Sequence, residues 1–546
     1  MKNTVLYAAG LASLGVTILF GSKVHAEDKP IIPITLNVLS TFQKGDPAAI
    51  FDESAAEIVK YHHPSRRLFI VNANDKIIDI VDISDVTNPT LVTSIDVSSM
   101  GSPNSVDVRP GGRSKEIAVA VANDDPTKRG WVAFYDVDGN FLKSVQVGFL
   151  PDMVTYDHRG YNVLVANEGE PNDDYTVDPE GSVSIISRYR SSFRVREVRF
   201  DKLTKEQLEG VRITGREGVT LTPAQDIEPE YISVGPYGRY AYVTLQENNT
   251  VAKIDIYRAS LAAMLPLGSV NHAEYGNSLD ASNKDDAIRM ANWPVKGLPM
   301  PDAIATYRVG RETYFVTANE GDGRDREVEV DGEDVLIYSD EARVKDVNLN
   351  PISFPLAETL QDQANLGRLK IVATEGDLDG DGEYEELYSF GTRSFSIYNS
   401  KGERVFDSGS DFEAIIANRL PDEFGSTNDE NGSFDDRSDD KGPEPEGVEF
   451  GEINDRTYAF IGLERIGGIM IYDVTDPKNS YFVDYVNNRN FAGDAEAGTA
   501  GDLGPEGLKF ISSKDSPNKK DLLVVGNEVS GTTTIYEIVP QRLLRR

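Results

Sequence analysis

The stretch PEYISVGPYGRYAYVTLQENNTVAKIDI, from Pro229 to Ile256, decides the fold. It opens with proline and an acid and runs through alternating apolar residues to a Gly-Pro-Tyr-Gly turn. It then rises through β-branched and aromatic residues, breaks at Gln-Glu-Asn-Asn, and ends on a third apolar run. Short runs of this kind, bounded by Gly, Asn and Pro, are antiparallel strands. The unit returns as PDMVTYDHRGYNVLVANEGE from Pro151, PDAIATYRVGRETYFVTANEGD from Pro301, and PEGVEFGEINDRTYAFIGLERIGGIMIYDV from Pro445. From Pro505 it appears as PEGLKF followed by DLLVVGNEVSGTTTIYEI. Looser copies start at Ala56 (AEIVKYHHPSRRLFIVNANDKIIDIVDI) and Pro103 (PNSVDV, then IAVAVANDDPTKRGWVAFYDV). A further segment from Leu369, LKIVATEGDLDGDGEYEELYSFGTRSFSIYN, has the strands without the acid pair.

Three to four strands repeated along a chain in this way predict an all-β propeller of seven or eight blades, in preference to two stacked sandwiches. A strand around residues 36–42 would complete the last blade and close the ring. Insertions are expected near 188–226, 258–298, 340–367 and 411–442, with short helices over 259–265 and 412–420, inside a single domain spanning 27–546.

The first residues carry Lys2, an apolar run from Val5 to Phe20 and a Val24-His25-Ala26 ending, the pattern of a secretory signal peptide over 1–26. No later stretch is apolar enough to span a bilayer, so the mature chain is expected outside the cytoplasm, secreted or extracellular, with the periplasm as the alternative. The full sequence contains no cysteine, which excludes disulfides and thiolate metal sites, and its formal charge of -35 repels nucleic acid and favours cations and basic partners.

The acids are not spread evenly. Two strands joined by a turn bring the start of the first and the end of the second to one edge, so the Pro-acid and Asn-Glu positions become neighbours. The pairs are Glu57 with Asp75, Asp152 with Glu168, Glu230 with Glu247, Asp302 with Glu320, Glu446 with Glu464, and Glu506 with Glu528, with Asn104 and Asp124 in the remaining blade. With the first strand innermost they would ring one mouth of the central channel. So many carboxylates facing one another need compensation, and hard oxygen ligands without cysteine point to calcium, with magnesium as the alternative. Each acid has a plainer use as well, accepting backbone N–H groups or pairing with an arginine such as Arg465.

A second candidate lies in the segment from Leu369. Asp377, Asp379, Asp381, Gly382 and Glu385 spell D-x-D-x-D-G-x-x-E, in which alternating acids wrap one hard cation and the glycine permits the turn. Tyr388 stands where an EF-hand loop places its closing glutamate, and a strand follows instead of a helix. The loop is similar to the calcium loops between strands of integrin-type propeller blades.

The run GPEPEGVEFGEINDRTYAFIGLERIGGIMIYDV from Gly442, with the preceding NDENGSFDDRSDDKG and the earlier MPDAIATY and VTANEGDGRD, closely resembles the choice-of-anchor I family. That family includes mesenchyme-specific cell-surface glycoproteins of biomineralising animals. The resemblance covers residues 36–538 and implies an exported propeller with mineral, polysaccharide or another surface protein as partner. Bacterial relatives often carry a C-terminal anchor. The ending IYEIVPQRLLRR has no sorting motif or hydrophobic tail, which leads us to expect a released protein.

Two functions follow from the residues. The first is a calcium-binding surface or matrix protein, favoured by the absence of a nucleophile elbow, a Walker loop or zinc-type histidine spacing. The second is a metal-dependent phosphoric ester hydrolase, similar in architecture to calcium-dependent propeller phytases. Glu168, Glu320, Glu446 and Glu528 would bridge cations, while Arg393, Lys441 or Arg465 would meet the phosphate. Some relatives are labelled alkaline phosphatase-like, which fits the second reading.

Overall fold

A computed structural model describes residues 33–541 apart from 112–113, 173, 190–191, 215–221 and 331–332. The expected signal peptide lies outside the described residues.

Seven four-stranded antiparallel sheets account for the repeats among the described residues. Their first strands are Val59–His62, Ser102–Val108, Pro151–Tyr156, Pro229–Val234, Ile304–Val309, Pro445–Ile453 and Pro505–Ile511. Each touches the first strand of the next sheet, and the seventh touches the first, so these strands form a closed inner circle. The structure is a seven-bladed propeller. The blades are numbered one to seven in that order.

Alternation along each strand sends apolar side chains into both gaps between blades, because each blade has a neighbour on either side. Phe69, Ile78 and Ile80 of blade one meet Val106, Ile117 and Val119 of blade two, while Phe460 and Ile471 of blade six meet Leu508 and Leu523 of blade seven. Each such side chain, fully buried, contributes about 1.5–3 kcal/mol. The ring closes as expected. Ile34–Gln43 pairs antiparallel with Thr532–Pro540 and becomes the outer strand of blade seven, so the two ends of the fold lock one sheet.

The segment from Leu369 is not an eighth blade. Its last strand, Phe395–Asn399, pairs with Glu312–Ala318 as the third strand of blade five, and Arg404–Asp407 follows as the fourth. Its earlier pieces pair elsewhere, Lys370–Val372 with Glu341–Arg343 and Tyr388–Phe390 in parallel with Lys296–Leu298. Residues 319–394 are therefore an insertion inside one blade. Together with the preceding connection they enclose a separate apolar cluster of Leu279, Trp293, Val344, Leu369, Ile371 and Leu387.

Two local expectations need correction. Residues 259–265, rich in Leu, Ala and Met, form no helix; Ser260–Pro266 is the outer strand of blade four, paired with Thr250–Asp255, because sheet pairing overrides even a high local helix propensity. The connection expected from residue 188 begins later, since Ser182–Tyr189 and Ser192–Arg199 are the outer strands of blade three. The helix expected over 412–420 is present as Asp411–Arg419. No helix among the described residues is long and apolar enough to cross a membrane.

Candidate functional site

The proline just before the ring residue of six inner strands, replaced by Ala56 in blade one, sets up the site. In blades two, three, four, six and seven the strand register shifts within three residues after the proline. In blade one Glu57 N–H donates to the Val71 carbonyl while Val71 N–H donates to that of Ile58, so two residues again oppose one. Such a bulge re-aims the side chain it carries.

The residue before the proline is left-handed in four blades, at φ 41° for Leu150, 39° for Met300, 50° for Glu444 and 65° for Gly504. For the non-glycine residues that conformation costs on the order of 1–3 kcal/mol each. The carbonyls of Leu150, Glu444 and Gly504 accept the N–H groups of Glu168, Glu464 and Glu528 at 2.9, 2.9 and 2.7 Å, which ties each Pro-acid turn to the end of the second strand. Adjacent blades meet tightly at this level. A Cβ at Gly447 would lie 2.0 Å from the Glu506 carbonyl oxygen, and one at Gly507 would lie 2.3 Å from that of Glu57.

Six carboxylates and one amide result, one per blade: Glu57, Asn104, Asp152, Glu230, Asp302, Glu446 and Glu506. They feel one another around the circle. Glu506 is raised by burial and then by Glu57 and Glu528, Glu446 by burial and then by Glu464 and Glu506, and Asp302 by burial and then by Glu320 and Asp152. Glu230 is raised by burial, then by Glu247 and Glu168. Burial, with Glu528 next, pushes Glu57 up to about 8, and burial pushes Asp152 up to about 7 against a hydrogen bond from Asn104. Among the described residues none of these six carboxylates forms an ion pair. One oxygen each of Glu230, Glu446 and Glu506, and one of Glu247, is buried with no hydrogen-bond partner. Glu230 and Glu247 are only 7% exposed, so these oxygens are not turned out to solvent.

The second tier comes from the ends of the second strands. Glu168, Glu464 and Glu528 follow the residue paired with the proline or its neighbour, and Glu320 holds the corresponding place in blade five. In blade four that place belongs to Gln246, because Pro229 pairs with Leu245, and Glu247 sits one residue further on. Glu168 is raised by burial and by Asp152, Glu464 by burial and by Glu444, and burial takes Glu247 up to about 8 against the pull of Arg324. Asp75 and Asp124 do not join the ring. Blades one and two place Ala73 and Ala122 after the equivalent strand positions, so the two aspartates fall in exposed turns, where Lys44 and Lys76 pair with them at 3.6 and 2.6 Å.

Insertions, and for Arg465 the turn between the second and third strands of blade six, bring basic residues to the rim on the side of blades four to six. Arg324 is buried against Glu228, with nitrogen–oxygen distances of 3.1 and 2.6 Å, and lies 3.8 Å from Glu247. Arg212 pairs with Asp340 at 2.6 Å. Lys441 reaches Glu320, Asp322 and Glu444 at 3.0, 3.1 and 3.3 Å, and Arg465 reaches Glu444 and Glu464 at 2.8 and 3.0 Å. With Arg437 also on it, Glu444 is pulled below the usual carboxylate range despite its burial.

Oxygens of Glu320, Glu444 and Glu464 all lie within 4.8 Å of one another, a cation-sized gathering. Lys441 and Arg465 already balance that charge, so the unmet demand lies with the inner six. Arg393 is not at the rim. Its guanidinium donates to Glu413 at 2.5 Å and to the carbonyls of Ser438 and Asp440 at 2.8 Å each, which fixes it as an internal staple.

Glu228, Arg324 and Arg212 were missed in the sequence. The doubled acid around proline, Glu228-Pro229-Glu230 and Glu444-Pro445-Glu446, was the available signal, since the leading glutamate of each takes the basic partners.

The acidic loop in the blade-five insertion gathers Asp377, Asp379 and Glu385 with oxygens within 4.8 Å, at a half-exposed position. Asp377 accepts the N–H groups of Gly380 and Gly382 at 2.8 and 2.9 Å, and Glu385 accepts that of Leu378 at 2.9 Å. Gly382, at φ 90°, makes the turn that no L side chain adopts readily. Asp381 accepts Glu383 N–H at 2.8 Å and does not share the three-oxygen cluster.

Residues 57–477 match the sequence model of the choice-of-anchor I domain. Gigasin-3a of Magallana gigas is 31% identical over 191 residues, which are 33% of this chain and 67% of that protein. The mesenchyme-specific cell surface glycoprotein of Strongylocentrotus purpuratus is 28% identical over 297 residues, which are 47% of this chain and 36% of that protein. The chain thus spans about two thirds of the first relative and little more than a third of the second. Among solved structures, the Cps50 (Swd1) β-propeller domain of Myceliophteria thermophila aligns with 92% of this chain and 100% of its own at a TM-score of 0.44 and 8% identity. The Kuenenia stuttgartiensis hydrazine synthase aligns with 90% of this chain and 97% of its own at a TM-score of 0.43 and 12% identity.

Proposed function

The chain belongs to the choice-of-anchor I family, and on that premise we propose that it is an exported, calcium-binding β-propeller acting as a surface or extracellular-matrix binding protein. The location is supported by the family and by the relative named as a cell surface glycoprotein. The metal is supported by one observation above the others: one buried carboxylate oxygen each of Glu230, Glu446 and Glu506 has no hydrogen-bond partner, and these three acids have no ion-pair partner among the described residues. Leaving a buried charge unpaired costs several kcal/mol, which a divalent cation or shared protons would offset.

The donors fit the metal. Every candidate ligand is a carboxylate, and the arrangement lacks thiolates and clustered imidazoles, so a hard cation held by oxygen suits it, calcium ahead of magnesium because its coordination number and geometry are the more adaptable. Asp152, Asp302, Glu230, Glu446 and Glu506 would surround it at the mouth, their oxygens spaced more widely than a single ion's contact shell, and Asp377, Asp379 and Glu385, with oxygens within 4.8 Å, would hold a second ion in the loop. A cation there supplies charge compensation between blades and a positive centre to which mineral, an acidic polysaccharide or a partner's carboxylates can attach.

Binding is favoured over phosphoester hydrolysis because the three basic residues suited to a phosphate are all engaged, Arg393 in the interior and Lys441 and Arg465 with carboxylates. Metal analysis of the purified protein, with an aryl phosphate assay on the same sample, tests this. Bound calcium without turnover is the expected result. Calcium-dependent hydrolysis would replace the reading with the enzyme, and protein free of metal after exposure to millimolar calcium would remove its basis.

A further inference from the structure

The channel has a second ring at its other end. Each bulge adds one residue to a strand whose faces alternate, so the residue three after the acid points the same way as the acid itself. In blade five, where the inner pair has no register shift, the equivalent residue is four after. These positions are Lys60, Asp107, Thr155, Ser233, Thr306, Glu449 and Lys509, one per blade. Neighbours bond in pairs: the Thr155 hydroxyl lies 3.3 Å from Asp107, Ser233 bonds Thr306 at 2.9 Å, and Lys509 donates to Glu449 at 3.1 Å.

Seven is odd. Lys60, between Lys509 and Asp107, is left over, and among the described residues its ammonium has no hydrogen-bond or ion-pair partner. The cleft at this end opens beside it. Its volume is about 540 Å³, within the range of small-molecule sites, and Lys60, Asp107, Thr155 and Lys509 of the ring line it. Its walls carry the imidazoles of His63 and His158, both exposed, and the apolar faces of Tyr61, Pro64 and Pro110. His62, nearer the interior, is shifted towards its neutral form by burial, against the hydrogen bond of its Nε2 to the Ser114 carbonyl, while its Nδ1 lies 2.7 Å from the Ser65 hydroxyl.

We propose that this cleft binds a small acidic saccharide of the uronic acid class, its carboxylate on Lys60. One free ammonium calls for one anionic group. The mixture of carboxylate, hydroxyl and imidazole around it offers both acceptors and donors to sugar hydroxyls, and the proline and tyrosine faces suit the apolar side of a pyranose ring. A bare inorganic anion would leave those groups unused. The site is built from residues separate from the acidic mouth and does not require calcium.

Titration of the full mature protein in chelator with D-glucuronate, D-glucose and inorganic sulfate, followed by calorimetry or saturation-transfer NMR, tests the proposal. Glucuronate is expected to bind saturably, glucose at least about tenfold more weakly, and Lys60→Gln to lower glucuronate to the level of glucose without changing the melting temperature. Equal binding of glucose and glucuronate, full competition by sulfate at equal concentration, or an unaltered Lys60→Gln variant would each overturn it. So would the absence of saturable binding by either sugar, a result that leaves the calcium reading untouched.

Discussion

Asp152→Asn removes one charge from the inner ring while keeping shape and leaving Asn104 beside it, and the sign of its effect should depend on calcium. Burial raises the Asp152 carboxyl from 3.8 to about 7 in the folded chain. That difference corresponds to about 4 kcal/mol at about 1.4 kcal/mol per pH unit, disfavouring the folded state wherever the unfolded carboxyl is ionised and the folded one must be too. The group's stabilising contribution is complete below the unfolded value and is lost as pH rises through about 7.

At pH 8 in chelator, Asp152→Asn should therefore stabilise by up to about 4 kcal/mol. A chain of this size unfolds with roughly 1 kcal/mol per kelvin of entropy, so the melting temperature should rise by about 4 °C. In millimolar calcium the same variant lacks a ligand and should melt below the native protein. The native protein in chelator should also gain stability on acidification from pH 8 to 5, and calcium should flatten that dependence. Scanning calorimetry of both proteins in both buffers measures all four values. A variant that melts lower in chelator and in calcium alike would refute the reasoning, because Asp152 would then be a satisfied structural acceptor.

The acidic loop should behave independently. With a dissociation constant of roughly 0.1 mM at about 1 mM calcium it contributes about 1.4 kcal/mol, and Asp379→Ala should abolish that part of the calcium-induced shift in denaturant midpoint while leaving the mouth's share intact. Arg324→Ala strands Glu228 and its neighbours without their buried partner and should cost about 3–5 kcal/mol in urea unfolding; a loss under 1 kcal/mol would contradict the pairing described. Gly507→Ala drives a methyl against the Glu57 carbonyl at 2.3 Å and should cost about 1–3 kcal/mol or prevent ring closure, read as lost soluble yield or a lowered midpoint.

The repeats were legible because most blades carry the same three punctuation marks, a proline entering the channel, a turn, and an Asn-Glu or related break. The N-terminal strand was legible because closing a ring requires a partner for Thr532–Pro540. Blade number was ambiguous where the pattern was interrupted. Residues 319–394 separate two strands of one blade, and strand-like runs within that insertion look like a repeat when they pair only with other inserted segments.

The inner acids were found from the Pro-acid spacing, but Asp75 and Asp124 were placed in the ring by counting along the sequence, whereas strand register puts Ala73 and Ala122 there. Lys441 and Arg465 were named from the sequence, but their carboxylate partners and the rest of the basic rim were hidden for a different reason. Arg324, Arg212 and Lys441 come from separate insertions, and no local pattern records that Glu228 and Arg324, 96 residues apart, share one buried bond. The second ring was hidden by the bulges, which convert an offset of three into a shared face.

Calcium titration of metal-stripped native protein, by isothermal calorimetry at pH 7.5, tests the central claim most directly. Two separable classes of site are predicted, one removed by Asp379→Ala and the other by Asp152→Asn. Saturable binding at the loop alone, or no heat of binding at millimolar calcium, would contradict a cation-binding channel mouth.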